Sequence, residues 1–170
     1  GIKHLDISWN NIGGAHAFRL AHCLRYNVMM ESLNIAFNCF GGGTDAETVN
    51  ELCDSLRHSN KSLPSLDISY NQIGHNASMV LAQFFDHNEV LVKLKVDGNH
   101  IGIGGSKAFI AHMVNFPRRE ISFEHCDVEA SSERFTFNMH APDGAYDLDL
   151  SHAYDRMVAL NLQALAYEQC

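Results

Sequence analysis

The sequence predicts an α/β solenoid, a horseshoe of strand-plus-helix coils with an inner parallel sheet, outer α-helices and an α+β cap at the C-terminal end. Three observations carry this. The pattern L-x-Φ-x-x-N, with Φ aliphatic, occurs at Leu5–Asn10, Leu33–Asn38, Leu66–Asn71 and Leu94–Asn99, each followed two residues later by Ile12, Phe40, Ile73 or Ile101. A worn fifth copy, Ile121–Cys126, keeps the two apolar positions and has cysteine in place of asparagine. Successive copies begin 28, 33, 28 and 27 residues apart, which leaves room for a helical crossover in each interval. Strands that follow one another through such crossovers pair in parallel, so strands and helices separate onto two sides.

In the strands, side-chain alternation turns Leu5 and Ile7, Leu33 and Ile35, Leu66 and Ile68, and Leu94 and Val96 inward. The crossovers carry i, i+1, i+4 apolar stripes: Leu20, Ala21 and Leu24; Leu52, Cys53 and Leu56; Leu81, Ala82 and Phe85; Phe109, Ile110 and Met113. Each large apolar side chain contributes about 1.5–3 kcal/mol on burial, and only a neighbouring coil can bury it, so a single coil does not fold alone. Asn10, Asn38, Asn71 and Asn99 stand where the chain leaves the strand, and an amide there can pair the backbone groups of the bend. They are read as scaffold, and Cys126 at the same station as a small buried residue rather than a nucleophile. The second coil is five residues longer, mostly at 41–45.

After Asp127 the period fails. Phe135–Phe137 and Tyr146–Leu150 read as short strands, Pro142-Asp143-Gly144 as a turn, and a helix is expected from Ser151 or Ala153 to about Tyr167. Residues 1–127 are therefore assigned to the repeats and 128–170 to a cap over the last coil, with a linker to another domain as the alternative.

Asn10-Asn11-Ile12-Gly13 and Asn71-Gln72-Ile73-Gly74, then Leu20-Ala21 and Leu81-Ala82, then Asn27 and Asn88 recur at matching positions. Over residues 1–127 the chain thus resembles the ribonuclease-inhibitor type of leucine-rich repeat, a resemblance that implies full α-helices on the convex side and a role in protein recognition. Ran GTPase-activating proteins are built from similar repeats. Their acidic C-terminal regions make a small-GTPase regulator the alternative function, although the acidic excess here is dispersed and no residue-by-residue carry-over is possible. A scaffold piece of a cytoskeletal or ciliary assembly is a further alternative.

At 170 residues the chain is long enough to bury a core without disulfides. Its five cysteines are odd in number and sit within repeat positions, which points to a reducing, cytoplasmic setting. No signal peptide or long apolar run occurs, so Asn60-Lys61-Ser62 and Asn76-Ala77-Ser78 read as chance glycosylation triplets. The start inside a repeat suggests a monomeric fragment of a larger protein. Net charge is −8, concentrated after residue 115, which disfavours nucleic acid; no membrane partner is expected either. Eleven histidines read as scattered surface residues.

The outward strand positions are expected to form the binding face. Trp9, Phe37 and Tyr70 occupy one station in three coils, beside Asp6, Ser8, Asn34, Asp67, Ser69, Lys95 and Asp97. Exposed aromatics among short polar side chains are what interface anchors are made of. The competing reading has the rings packing on the bend of their own repeat. Gly41-Gly42-Gly43-Thr44-Asp45-Ala46 imitates a dinucleotide loop and Gly102–Lys107 is a similar decoy, but the repeat register already accounts for both. Glu124-His125-Cys126-Asp127 is the densest set of metal-ligand types, yet consecutive strand residues face opposite ways. No catalytic motif is recognised. The chain is therefore read as a non-enzymatic module that binds a partner protein on its concave face, with no cofactor and no metal.

Overall fold

The computed structural model describes residues 1–42, 46–58, 62–127 and, further on, 150, 156, 159 and 160. Its elements alternate: β1 (His4–Asp6), α1 (Gly14–Cys23), β2 (Ser32–Asn34), α2 (Glu47–His58), β3 (Ser65–Asp67), α3 (His75–His87), β4 (Lys93–Lys95), α4 (Gly102–Asn115) and β5 (Glu120–Ser122). The strands form one parallel sheet in sequence order. The register sets Leu5, Leu33, Leu66, Leu94 and Ile121 side by side, so equivalent stations of the pattern are neighbours across the sheet.

The first three strands are three residues long because the bend begins at their last residue, where Asp6, Asn34 and Asp67 each accept the backbone amide two residues on. The core lies between sheet and helices as one cluster, from Ala17 in α1 to Phe109 in α4. Leu33, Leu66 and Leu94 are buried, whereas Leu5, Ile7, Ile12 and Leu20 are only partly so; among the described strands β1 pairs with β2 alone. The Asn27 and Asn88 motif also has a local cause. After the helices, Asn27 Oδ1 accepts from the Met29 amide (3.2 Å) and Asn88 Oδ1 from the Val90 and Leu91 amides (2.9 and 2.8 Å), which turns the chain back toward the sheet.

The asparagine row does the scaffold work anticipated for it. Asn99 Oδ1 accepts from the Asn71 and Ile73 amides of the preceding coil (2.9 and 3.0 Å), while Nδ2 donates to the Ile68 and Val96 carbonyls (3.1 and 2.7 Å). Asn38 binds the Asn10 and Ile12 amides (3.2 and 2.8 Å) and the Ile7 and Ile35 carbonyls (3.0 Å each) in the same way. Asn38, Asn71 and Asn99 are buried, so each amide joins two coils where water cannot. At the fifth station the half-buried Cys126 thiol donates to the Val96 carbonyl (3.2 Å), and burial pushes it above the usual thiol range.

The expected segments Phe135–Phe137 and Pro142–Gly144, and residues 146–149 of the second strand, lie outside the described residues. Leu150 is in a turn rather than a strand, and Arg156, Ala159 and Leu160 are helical.

On the convex side, α3 and α4 enclose a titratable group. The His112 side chain is 1% exposed, and its Nδ1 is hydrogen-bonded to Asp86. Its ring lies 4.3 Å from that of Phe85 and 4.6 Å from that of Phe116, with the Arg119 guanidinium over both phenyl rings. Nε2 is buried without a hydrogen-bond partner among the described residues. Burial holds His112 below its ordinary 6.5; the Asp86 carboxylate opposes this and Arg119 adds to it. As pH falls through about 6.5, the unfolded chain takes up a proton that the folded chain refuses, so stability declines by up to about 1.4 kcal/mol per pH unit from this group. Urea unfolding of wild type and His112→Phe between pH 7.5 and 5.5 is expected to show the shallower pH slope in the variant. Equal slopes would contradict the assignment.

Candidate functional site

The strand ends position the outward residues through local hydrogen bonds. Asp6 Oδ1 accepts from the Ser8 amide (2.9 Å) and hydroxyl (2.7 Å), Asn34 Oδ1 from the Ala36 amide (3.0 Å), and Asp67 Oδ1 from the Ser69 amide (3.0 Å). An Asp or Asn side chain that accepts an amide two residues on makes a compact bend. Lys95 cannot accept, and in its place Asp97 takes the Ser122 hydroxyl and the Glu124 amide (2.5 and 2.8 Å) of the next coil. Asn34 Nδ2 also donates to Asp6 Oδ2 (3.0 Å). The Ser8 hydroxyl and amide, helped by Asn34, hold the Asp6 carboxyl below its usual range.

These bends drive the next residue into the left-handed region: φ is +61° at Trp9, +54° at Phe37, +52° at Tyr70, +63° at Gly98 and +54° at His125. All five coils share this conformation, at a cost of about 1–2 kcal/mol for a non-glycine residue. Because the strands are in register, the side chains stack. The ring centroids of Trp9 and Phe37 are 3.7 Å apart at 11°, and those of Phe37 and Tyr70 are 4.4 Å apart at 9°. Beyond Tyr70 comes Gly98, where a Cβ would stand 2.2 Å from Tyr70 Cε1, so the glycine leaves room for the last ring to lie over the fourth coil. The rings pack on one another rather than on their own bends, and Trp9 and Tyr70 remain 72% and 38% exposed.

The stack is flanked by the exposed Asp6 and the half-buried Ser8, Asn34, Asp67, Lys95 and Asp97. Ser69 alone of the expected set is buried, and its hydroxyl has no hydrogen-bond partner among the described residues. It therefore lies beneath the face rather than on it, because at this station the chain has already begun to turn inward. Gly98 stands outward at the station that carries rings in the first three coils, and a glycine there suits the left-handed backbone.

The remaining candidates separate. Glu124 and His125 form a turn rather than a strand, so the divergence of 124–127 arises from the bend; Cys126 faces Val96 and Asp127 lies 3.6 Å from His100. Among the described residues no cluster of His, Cys, Asp and Glu could hold a metal. Gly102–Lys107 begins α4, and there Cβ atoms at Gly104 and Gly105 would collide with His75 and Ser78, so these glycines serve helix packing. Among the described residues no helix is long and apolar enough to cross a membrane.

The family model described as Leucine Rich repeat matches residues 2–15 and 59–77, which span the first and third strands with the bends that carry Trp9 and Tyr70. No curated protein matches the chain. Repeats of this family are generally protein-interaction modules. With its sheet of parallel strands in sequence order and a helix after each of the first four, the chain is a leucine-rich repeat solenoid.

Proposed function

We propose that the concave face binds a partner protein, with the Trp9, Phe37 and Tyr70 rings as anchors and Asp6, Ser8, Asn34, Asp67, Lys95 and Asp97 as the polar surround. The ring stack carries this reading. Three large side chains are held at 3.7 and 4.4 Å spacing in the unbound chain, so little conformational entropy remains to be lost when a partner covers them. Aromatic residues fixed in this way dominate interface energetics, each worth about 2 kcal/mol or more when truncated.

The module is non-catalytic and uses no cofactor. It belongs to the ribonuclease-inhibitor-like subfamily, a reading supported by coils near 28 residues and by α-helices of 10 to 14 residues. A reducing, cytoplasmic setting suits the free thiols found among the described residues, Cys23, Cys39, Cys53 and Cys126. Residues 128–170 act as a cap over the last coil. The test is affinity capture with wild type and the Trp9→Ala, Phe37→Ala, Tyr70→Ala triple variant, followed by titration of the captured protein. The folded variant is expected to bind about 100-fold more weakly or worse. Equal affinity would remove this face from the mechanism.

A further inference from the structure

The ring ladder is interrupted at the fourth coil and resumes at the fifth. Backbone hydrogen bonds carry the register of the sheet on through the bends: the Trp9, Phe37, Tyr70 and Gly98 amides donate to the Ala36, Ser69, Asp97 and Glu124 carbonyls at 3.0, 2.9, 2.7 and 2.8 Å. The residues of this station, from Trp9 to His125, therefore stand side by side, and all share the left-handed backbone that projects the first three rings together. Gly98 brings no side chain to the row, whereas the next member, His125, brings an exposed imidazole. Tyr70 is stacked on Phe37 by one face; its other face, toward the fourth coil, has no ring against it among the described residues.

The gap over Gly98 is one flat group wide. Two strand steps separate the Tyr70 and His125 backbones, about 9–10 Å. A planar group in contact on both sides needs about 7–8 Å, which leaves room for the lean of Tyr70 over Gly98. Charge then selects what fits. Asp97 and Glu124 directly precede Gly98 and His125. Asp97 Oδ1 already holds the Ser122 hydroxyl and the Glu124 amide, but Glu124 is exposed and its carboxylate forms no ion pair among the described residues. Lys95 stands beside Asp67 in the register and offsets that charge, so the gap itself is bordered by carboxylates.

We propose that this gap receives an arginine side chain of the partner protein, with the guanidinium flat between Tyr70 and His125 and paired to the Glu124 carboxylate. The inference rests on the concave face being the binding face. A guanidinium is planar and always charged, stacks on aromatic faces and meets a carboxylate with a rigid fork; a lysine ammonium is a hydrated point charge that fills no flat gap. An aromatic side chain matches the width but leaves Glu124 without a counter-charge.

The probe is the blocked tripeptide Gly-Arg-Gly, titrated into the full chain and followed by two-dimensional NMR. Expected are saturable shifts at Gly98, Tyr70 and His125. Binding is expected to be about 2–5-fold weaker for Gly-Lys-Gly and for the Tyr70→Leu chain, which lose the stacking. Glu124→Gln, a change at an exposed position that leaves the fold intact, is expected to weaken binding about 2–5-fold through loss of the ion pair. Three results would overturn the proposal: no saturable shift at tens of millimolar peptide, equal binding of the lysine and arginine peptides, or tighter binding of Gly-Tyr-Gly, which would give the gap to an aromatic side chain. The probe needs no partner protein, so its failure is read apart from the capture experiment: capture lost in the triple variant, with no peptide bound by the wild type, would keep the concave face and remove only this gap.

Discussion

Asn99→Ala is expected to destabilise the chain by about 3–5 kcal/mol, while Asn10→Ala, the same change at the equivalent station, is expected to cost less than about 1 kcal/mol. Removal of the Asn99 amide strands the Asn71 and Ile73 amides, and takes a donor from the Ile68 and Val96 carbonyls. Asn99 is 0% exposed, so water cannot replace these bonds, and each stranded donor costs about 1–3 kcal/mol. Asn10 is exposed and serves only carbonyls of its own coil, which water can solvate instead. Small domains hold only about 5–15 kcal/mol in all, so the first variant is expected to fall near the limit of folding. Urea denaturation of both variants measures the contrast. A cost that is equal at the two stations would mean that the amides act through intrinsic bend preference rather than by joining coils.

Gly41→Ala is expected to cost about 3 kcal/mol, and Gly42→Ala well under about 1 kcal/mol. A Cβ at Gly41 would lie 2.3 Å from the Gln72 carbonyl oxygen and 2.6 Å from Ile73 Cα. Those are backbone atoms of the next coil and cannot swing away. The Gly41 amide also donates to the Asn71 carbonyl at 2.8 Å, so the two bends cannot simply part. At Gly42 the nearest atom is the movable Gln72 Oε1, at 3.1 Å. Thermal unfolding of the two variants separates them by about 4–8 °C in Tm if the contact governs. Similar Tm values would place the cost in loop entropy instead. The result also bears on function, since a glycine needed for coil packing requires no bound phosphate to account for it.

The binding face was legible in part. Trp9, Phe37 and Tyr70 share a station in the pattern, and in-register parallel strands must then set them side by side. That the rings stack, rather than fold back onto their own bends, follows from the left-handed backbone imposed by the turns after Asp6, Asn34 and Asp67, which no hydrophobic periodicity reveals. Ser69 shows the reverse failure. Alternation places it outward, but the turn has already begun there and carries it below the surface.

His112 was not singled out at all, because its meaning depends on Asp86, Phe85 and Arg119, which only the packing of α3 on α4 brings together. By itself the sequence determined the coil, its strand and helix, the parallel order of the sheet and the asparagine row. These follow from periodicity and from hydrogen-bonding capacity, both local properties of each repeat. The tertiary structure decided which residues meet a neighbouring coil: Gly41 lies against the Gln72 and Ile73 backbone whereas Gly42 meets only movable atoms first, and His112 is enclosed between α3 and α4. The reason is physical. In a stack, a side chain's energy is set by whether a neighbouring coil lies against it, and identical pattern positions differ only in that.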